Sequence, residues 1–329
     1  MQFRLCRWTS LPIVLSLLLI STRAAAQEQP EFKPPDDVDF RTATIMSEGT
    51  RMAAEVYAPK SPATERLPTI VMAHGWGGIA AHLRPDAVRF ARAGYLVVTF
   101  DYRGWGASDS RVILTKPQPP RSADKSFTAE VTEVREVVDP IDQTTDLANA
   151  VSWVWGEPRC DRDKIGLWGS SYSGGHVVYV AARDPRIKAT ISQVPALDSR
   201  GTAIGDDQSQ NTYSEASART HGELGYPEPG AKVIGNLRGA PIREKLMQYA
   251  PVEDADRAPH CAMLFVLAEN EELFDNKDHG LKAYERAKGP KKLVIVPEIQ
   301  HYGIYLQARK QAQDLALAWY DEHLKGQGK

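Results

Sequence analysis

The chain has 329 residues, of which 42% are hydrophobic and 25% charged, with a formal net charge of −2. That length and balance support the buried core of one large domain, with or without an insertion, and exclude a disordered chain or a repeat array. There is no basic surplus to bind nucleic acid and no apolar run long enough to span a bilayer as a helix.

The first residues read as an export signal: Arg4 and Arg7, an apolar run from Leu11 to Ile20, then Ala24-Ala25-Ala26 before Gln27. Cleavage after Ala26 removes Arg4, Arg7 and Arg23 and no acid, leaving 37 basic and 42 acidic residues, a net charge of −5. Cys6 precedes the apolar run and leaves with it, so no lipid-bearing cysteine stands at the cleavage site. The mature chain is expected in the periplasm or outside the cell, without a stable membrane anchor. Residues 27–40, rich in proline and acid, read as a loose leader.

Residues 41–47 and 51–58, hinged at Glu48-Gly49-Thr50, form the pattern of an antiparallel hairpin. Strands then alternate with helices. The apolar runs place strands at 69–73, 95–102, 164–169, 187–194, 263–268 and 293–296, and helices at 81–93, 142–155, 172–183 and 305–324. Such alternation builds an α/β fold with a mostly parallel central sheet covered by helices on both faces. Two segments interrupt it. Residues 103–139 carry Pro117, Pro119 and Pro120 and an acidic tail (Glu130, Glu133, Glu136) that reads as helical; residues 198–259 are rich in Gly, Pro and polar residues and read as an inserted lid within a domain spanning 41–329. Cys160 and Cys261 each precede a strand, and an oxidising compartment leaves open either a disulfide or two separate buried thiols.

Sheets of this kind put their chemistry at the carboxyl ends of the strands. After the strand at 164–169 comes Gly169-Ser170-Ser171-Tyr172-Ser173-Gly174-Gly175, where small residues let a strand turn sharply into a helix and push one serine into a cleft. Ser171, two residues after Gly169, is the one placed to react. After the first parallel strand comes His74-Gly75-Trp76-Gly77-Gly78, whose Trp76 amide, with that of Tyr172, is positioned to hold an oxyanion. His74 itself reads as structural. After the last strand comes His301, a base of near-neutral pKa. The acid should follow the penultimate strand, where Glu271 is the first choice and Glu272 the second, with Asp198 an outside alternative. Trp76, Trp105, Phe274 and Tyr302 are candidate walls of an apolar cleft.

These motifs, in this order, resemble the α/β-hydrolase fold over almost the whole mature chain, from about Arg41 to Lys325. The resemblance implies Ser171 as nucleophile, His301 as base, Glu271 as acid and the Trp76 and Tyr172 amides as oxyanion hole. Asp101-Tyr102-Arg103-Gly104-Trp105-Gly106-Ala107-Ser108 matches the family's D-x-R-G-x-G-x-S turn, whose role is structural. More narrowly, the hairpin, the His-Gly-Trp loop and the Ser-Tyr elbow resemble Xaa-Pro dipeptidyl-peptidase-like proteins, acyl esterases and dienelactone-hydrolase-like esterases. Two departures stand out: Ser173 replaces a glycine of the elbow, and a glutamate replaces the commoner aspartate.

The expected activity is that of an exported serine hydrolase cleaving small-molecule carboxylic esters through an acyl-enzyme, with no metal or organic cofactor. A peptidase or amidase on the same residues is the alternative within enzymes, with the acidic stretch 130–139 as the source of a carboxylate for a substrate amine. A non-catalytic binding protein on a hydrolase fold is the alternative outside them.

Overall fold

The computed structural model describes residues 32–60, 65–121, 123–204, 209–231 and 237–326; the expected signal segment and the first part of the leader lie outside them. Two ten-residue strands, β1 (Val38–Ser47) and β2 (Thr50–Pro59), pair antiparallel about Glu48 and Gly49, which both take positive φ. Pairing begins at Val38, three residues earlier than the sequence pattern suggests, because Val38 is buried opposite Pro59. The remaining strands of the main sheet are β3 (Leu67–Ala73), β4 (Leu96–Phe100), β5 (Cys160–Ser170), β6 (Ile187–Gln193), β7 (Ala262–Ala268) and β8 (Lys291–Val296). All eight form one sheet in the order β1-β2-β4-β3-β5-β6-β7-β8. β2 runs antiparallel to both of its neighbours and every pair from β4 to β8 is parallel.

The parallel strands read as unbroken apolar runs because helices cover both faces, and every residue of β7 is buried. On one face, α2 (Pro140–Gly156) and α3 (Tyr172–Ala181) bury Leu147, Val151 and Val177 in the cluster that holds Val71, Val98, Leu167 and Phe265. On the other, α1 (Arg84–Arg92) packs on α4 (Arg309–Tyr320), with the Phe90 ring edge-on and the Tyr95 ring tilted against Tyr320. The Tyr320 hydroxyl donates to Leu167 O at 2.7 Å, tying α4 to the strand that carries the elbow.

The register places the functional loops. Ala73 pairs with Gly169, so the loops after β3 and β5 leave the sheet side by side; Ala268 pairs with Val296, so those after β7 and β8 do the same.

Two expectations need correction, and one open alternative is decided. The acidic tail of 103–139 is not helical: Val131–Val134 pairs antiparallel with Arg111–Leu114, and Asp139 then caps α2 by accepting from the Ile141 and Asp142 amides. The last helix does not begin at Tyr305, because His301–Tyr305 is a tight 3-10 turn and Leu306 leaves helical backbone before α4 starts. Cys160 and Cys261 are free buried thiols. Cys160 opens β5 and Cys261 directly precedes β7, with β6 between these strands, about 9–10 Å at ordinary strand spacing and beyond the reach of a disulfide.

The insertion at 198–259 contains the short helices Arg200–Ile204, Ser209–Thr220 and Arg243–Leu246. Its Ala240-Pro241 strand pairs parallel with Val137-Val138 at the foot of α2. Among the described residues no helix is long and apolar enough to cross a membrane.

Candidate active site

Ser171 stands between β5 and α3 with φ 59° and ψ −123°. A non-glycine residue in this region costs on the order of 1–3 kcal/mol, so the surroundings must hold it. They do: its amide donates to Gln193 O at 2.8 Å, and its carbonyl accepts from Gly174 at 3.0 Å and Ala196 at 3.1 Å. A Cβ on Gly169 would lie 2.1 Å from Ser173 O, one on Gly174 2.7 Å from Pro195 Cβ and one on Gly175 2.4 Å from Ala196 O, so the turn leaves no room for a side chain at any of the three. Ser173 is already helical and tolerates a side chain. Its hydroxyl lies 2.7 Å from Ala73 O and accepts from the Ser170 amide at 2.9 Å, which pins the elbow to the end of β3.

The loop after β8 brings His301 to this serine. Its Nε2 is 3.0 Å from Ser171 Oγ, and its Nδ1 is 2.9 and 2.8 Å from the two oxygens of Glu271, which arrives from the loop after β7. A carboxylate only accepts, so Nδ1 carries the proton and Nε2 is left to accept from the serine hydroxyl. The side chains of His301 and Glu271 are each 1% exposed. Glu272 has a different partner: it accepts from the His301 backbone amide at 2.7 Å and so fixes the base's loop. Asp198 is paired with Arg200 at 2.5 Å and does not meet His301. Ser171, His301 and Glu271 thus form one hydrogen-bonded series, and neither Glu272 nor Asp198 takes the place of Glu271 in it.

His74, by contrast, turns away. Its Nδ1 donates to Gly75 O at 3.1 Å, its ring stacks edge-on against Tyr102, and burial pushes its pKa down to about 4, so it stays neutral. The loop it opens lies against the elbow: a Cβ on Gly75 would come within 2.8 Å of Ser170 O and 3.1 Å of Ser171 Cβ. Trp76 and Tyr172 follow these two sites, their rings 5.1 Å apart, and neither backbone amide has an acceptor among the described residues. The Trp76 indole donates to Gly239 O at 3.0 Å, so the insertion buttresses this loop.

A cavity of about 360 Å³ opens beside Ser171 and His301, walled by Trp76, Leu83, Trp168, Leu237, Tyr302 and Tyr305 among others. Of the aromatic residues expected there, Trp76 and Tyr302 line it. Trp105 does not: it is 3% exposed, donates to Val137 O and packs on Gly239, so it is a core residue. Nor does Phe274, which lies behind the site with its ring edge-on to His301 and against His279. The sequence reading missed Ser170, Tyr305 and Gln193. Ser170 Oγ sits 2.7 Å from Tyr305 Oη, a contact that joins β5 to the turn bearing His301, and accepts from Gln193 Nε2 of β6 at 3.0 Å. It also missed Arg309 and Asp86, which pair on the cavity wall.

The chain matches the family model of X-Pro dipeptidyl-peptidases (S15 family) over residues 48–207 and that of the prolyl oligopeptidase family over residues 141–327. It is 28% identical over 286 residues to an uncharacterised 31.7 kDa protein encoded in the traX-finO intergenic region of Escherichia coli, covering 78% of this chain and 91% of that one. It is 28% identical over 169 residues to the polyketide transferase GrgF of a Penicillium species, covering 51% of this chain and 47% of that sequence. The crystal structure of GrgF superposes with a TM-score of 0.68 at 20% identity, covering 88% and 99% of the two chains. The hypothetical protein PA2218 of Pseudomonas aeruginosa gives 0.69 at 22% identity, covering 89% and 96%. With its second family match spanning more than half its length, this chain belongs to the prolyl oligopeptidase family and is a serine hydrolase of α/β-hydrolase fold.

Proposed function

We propose that the protein hydrolyses carboxylic esters through an acyl-enzyme on Ser171. The observation that carries this reading is the unbroken series Glu271, His301, Ser171, with a cavity at its reactive end. His301 Nε2 takes the Ser171 proton as Oγ attacks the carbonyl, and the Trp76 and Tyr172 amides receive the charge that develops on its oxygen. The imidazolium, held by Glu271, protonates the leaving alcohol. Water then enters, gives its proton to His301 and releases the acid, while Ser171 recovers its own.

An ester fits better than a peptide with a free amino terminus. A dipeptidyl-peptidase needs a carboxylate to hold its substrate's amine, and the acidic stretch expected to supply one is otherwise occupied. Glu136 is paired with Arg238, Glu133 with Arg135, and Asp139 caps α2. The acid on the cavity wall, Asp86, is engaged by Arg309. GrgF, a relative named for transfer rather than for peptide cleavage, is in keeping with acyl chemistry on this scaffold. The insertion at 198–259 acts as a lid on this reading, and the segment 1–26 as an export signal. A panel of 4-nitrophenyl esters set against Xaa-Pro anilides tests the choice: turnover of esters supports it, and turnover of anilides alone contradicts it.

A further inference from the structure

Most of the cavity wall is apolar, but one part is not. Arg309, at the start of α4, lines it beside Asp86 of α1. Arg309 Nη2 donates to Asp86 Oδ2 at 2.6 Å and Nε to Oδ1 at 3.2 Å, while Gln313 Nε2 donates to Oδ1 at 2.5 Å. Gln313 is in turn held by Arg89 at 3.0 Å. Both oxygens of Asp86 are therefore committed, and the guanidinium is fixed in orientation. Its remaining nitrogen, Nη1, has no acceptor among the described residues, although Arg309 lines the cavity. His82 lines the same cavity. Its Nδ1 accepts from the Ile79 amide at 3.4 Å, which puts the ring proton on Nε2, a second donor.

We infer that this wall is a subsite for an uncharged oxygen acceptor, an ether, hydroxyl or carbonyl oxygen, carried by the substrate away from its scissile ester. Both residues are open to solvent, so a substrate seated against them displaces the hydration of two donors, and an acceptor on that substrate replaces it. A carboxylate tail is disfavoured, because the Asp86 charge stands beside Arg309 and has already neutralised it. A purely alkyl tail leaves Arg309 Nη1 desolvated and unpaired, which is costly for a charged group. The inference rests on the ester reading given above and narrows its substrate class. It explains why a cavity lined by Leu83, Trp168 and Leu237 also holds a fixed cation.

The test compares isosteric esters in two series, since either portion of the substrate can enter this cavity. One series is 4-nitrophenyl pentanoate against 4-nitrophenyl 3-methoxypropanoate; the other is butyl acetate against 2-methoxyethyl acetate. Each ratio of kcat/KM is normalised to the hydroxide-catalysed ratio. The full-length enzyme should prefer the oxygenated member of one series by about tenfold, the scale of one hydrogen bond to a charged donor. Arg309→Gln, which keeps a hydrogen bond to Asp86, should bring that ratio close to the hydroxide value. His82→Phe, on a separate element, should lower it independently and serves if the first variant does not fold. No preference in either series, a preference untouched by both variants, or a stronger preference for 4-nitrophenyl hemisuccinate would overturn the inference. Failure to cleave any of these esters would instead count against the ester reading itself.

Discussion

Both carboxylate oxygens of Glu271 reach His301 Nδ1, at 2.9 and 2.8 Å, although the acid leaves its loop only three residues beyond β7 and the base leaves five residues beyond β8. The longer arm of glutamate spans the gap between two loops that leave adjacent strands. Glu271→Gln should lower kcat on a 4-nitrophenyl ester by about 10⁴-fold, as loss of the orienting charge does in other triads. Glu271→Asp should fall between the two, because its oxygen stops short of Nδ1. Asp198→Asn should stay near wild type, since Asp198 serves Arg200. A larger loss in Asp198→Asn than in Glu271→Gln would transfer the role.

Ser173 supplies a hydroxyl where a glycine usually suffices, and that hydroxyl bonds Ala73 O at 2.7 Å inside the core. Ser173→Ala leaves a buried carbonyl without this donor. Stability measured by urea denaturation should fall by about 1–3 kcal/mol. Gly75→Ala should act on catalysis instead, because its Cβ would meet Ser170 O at 2.8 Å and push the oxyanion loop off the elbow. Its kcat should drop with little change in KM.

Tyr305 Oη and Ser170 Oγ, 2.7 Å apart, clamp the turn that carries His301 onto the strand that carries Ser171. Tyr305→Phe should lower kcat by up to about tenfold through looser placement of the base. Adding Ser170→Ala should cost little more in kcat, since this clamp is already gone and the bond that Ser170 also accepts from Gln193 ties β5 to β6 rather than to the turn. Additive losses in the double variant would show two separate roles.

The main elements of this site were legible because each follows a strand in a fixed order. Ser171, His301 and Glu271 were found from the loops after β5, β8 and β7, and the sheet order made those loops neighbours. Aromatic residues carried no such signal: Trp105 and Tyr302 look alike in sequence, yet one is buried in the core and the other stands at the cavity rim. The spacing of Glu130, Glu133 and Glu136 imitates a helix, but the β-branched Val131, Thr132 and Val134 suit a strand, and pairing with Arg111–Leu114 decides it. Arg309 and Asp86 are 223 residues apart in sequence, and only the packing of α4 on α1 joins them.

His176 gives a prediction about pH. It is fully buried beneath the elbow with Nδ1 2.6 Å from Tyr249 Oη, and burial pushes its pKa down to about 3. Since the unfolded chain binds this proton near pH 6.5 and the folded chain does not, its contribution is full above that pH and is lost as pH falls. Between about pH 6 and about pH 5, wild type should lose about 1 kcal/mol relative to His176→Gln, close to the 1.36 kcal/mol per unit of one proton. Parallel stability curves for the two proteins would show that His176 is not buried in its neutral form.

Ser171, 3.0 Å from His301 Nε2, is the nucleophile in the mechanism proposed above. The most direct measurement is covalent labelling of the intact protein by a fluorophosphonate probe, with mass spectrometry to find the modified residue. One adduct is expected, on Ser171, absent in Ser171→Ala and greatly slowed in His301→Ala. An unlabelled wild-type protein, or an adduct on Ser170 or Ser173 that persists in Ser171→Ala, would contradict it.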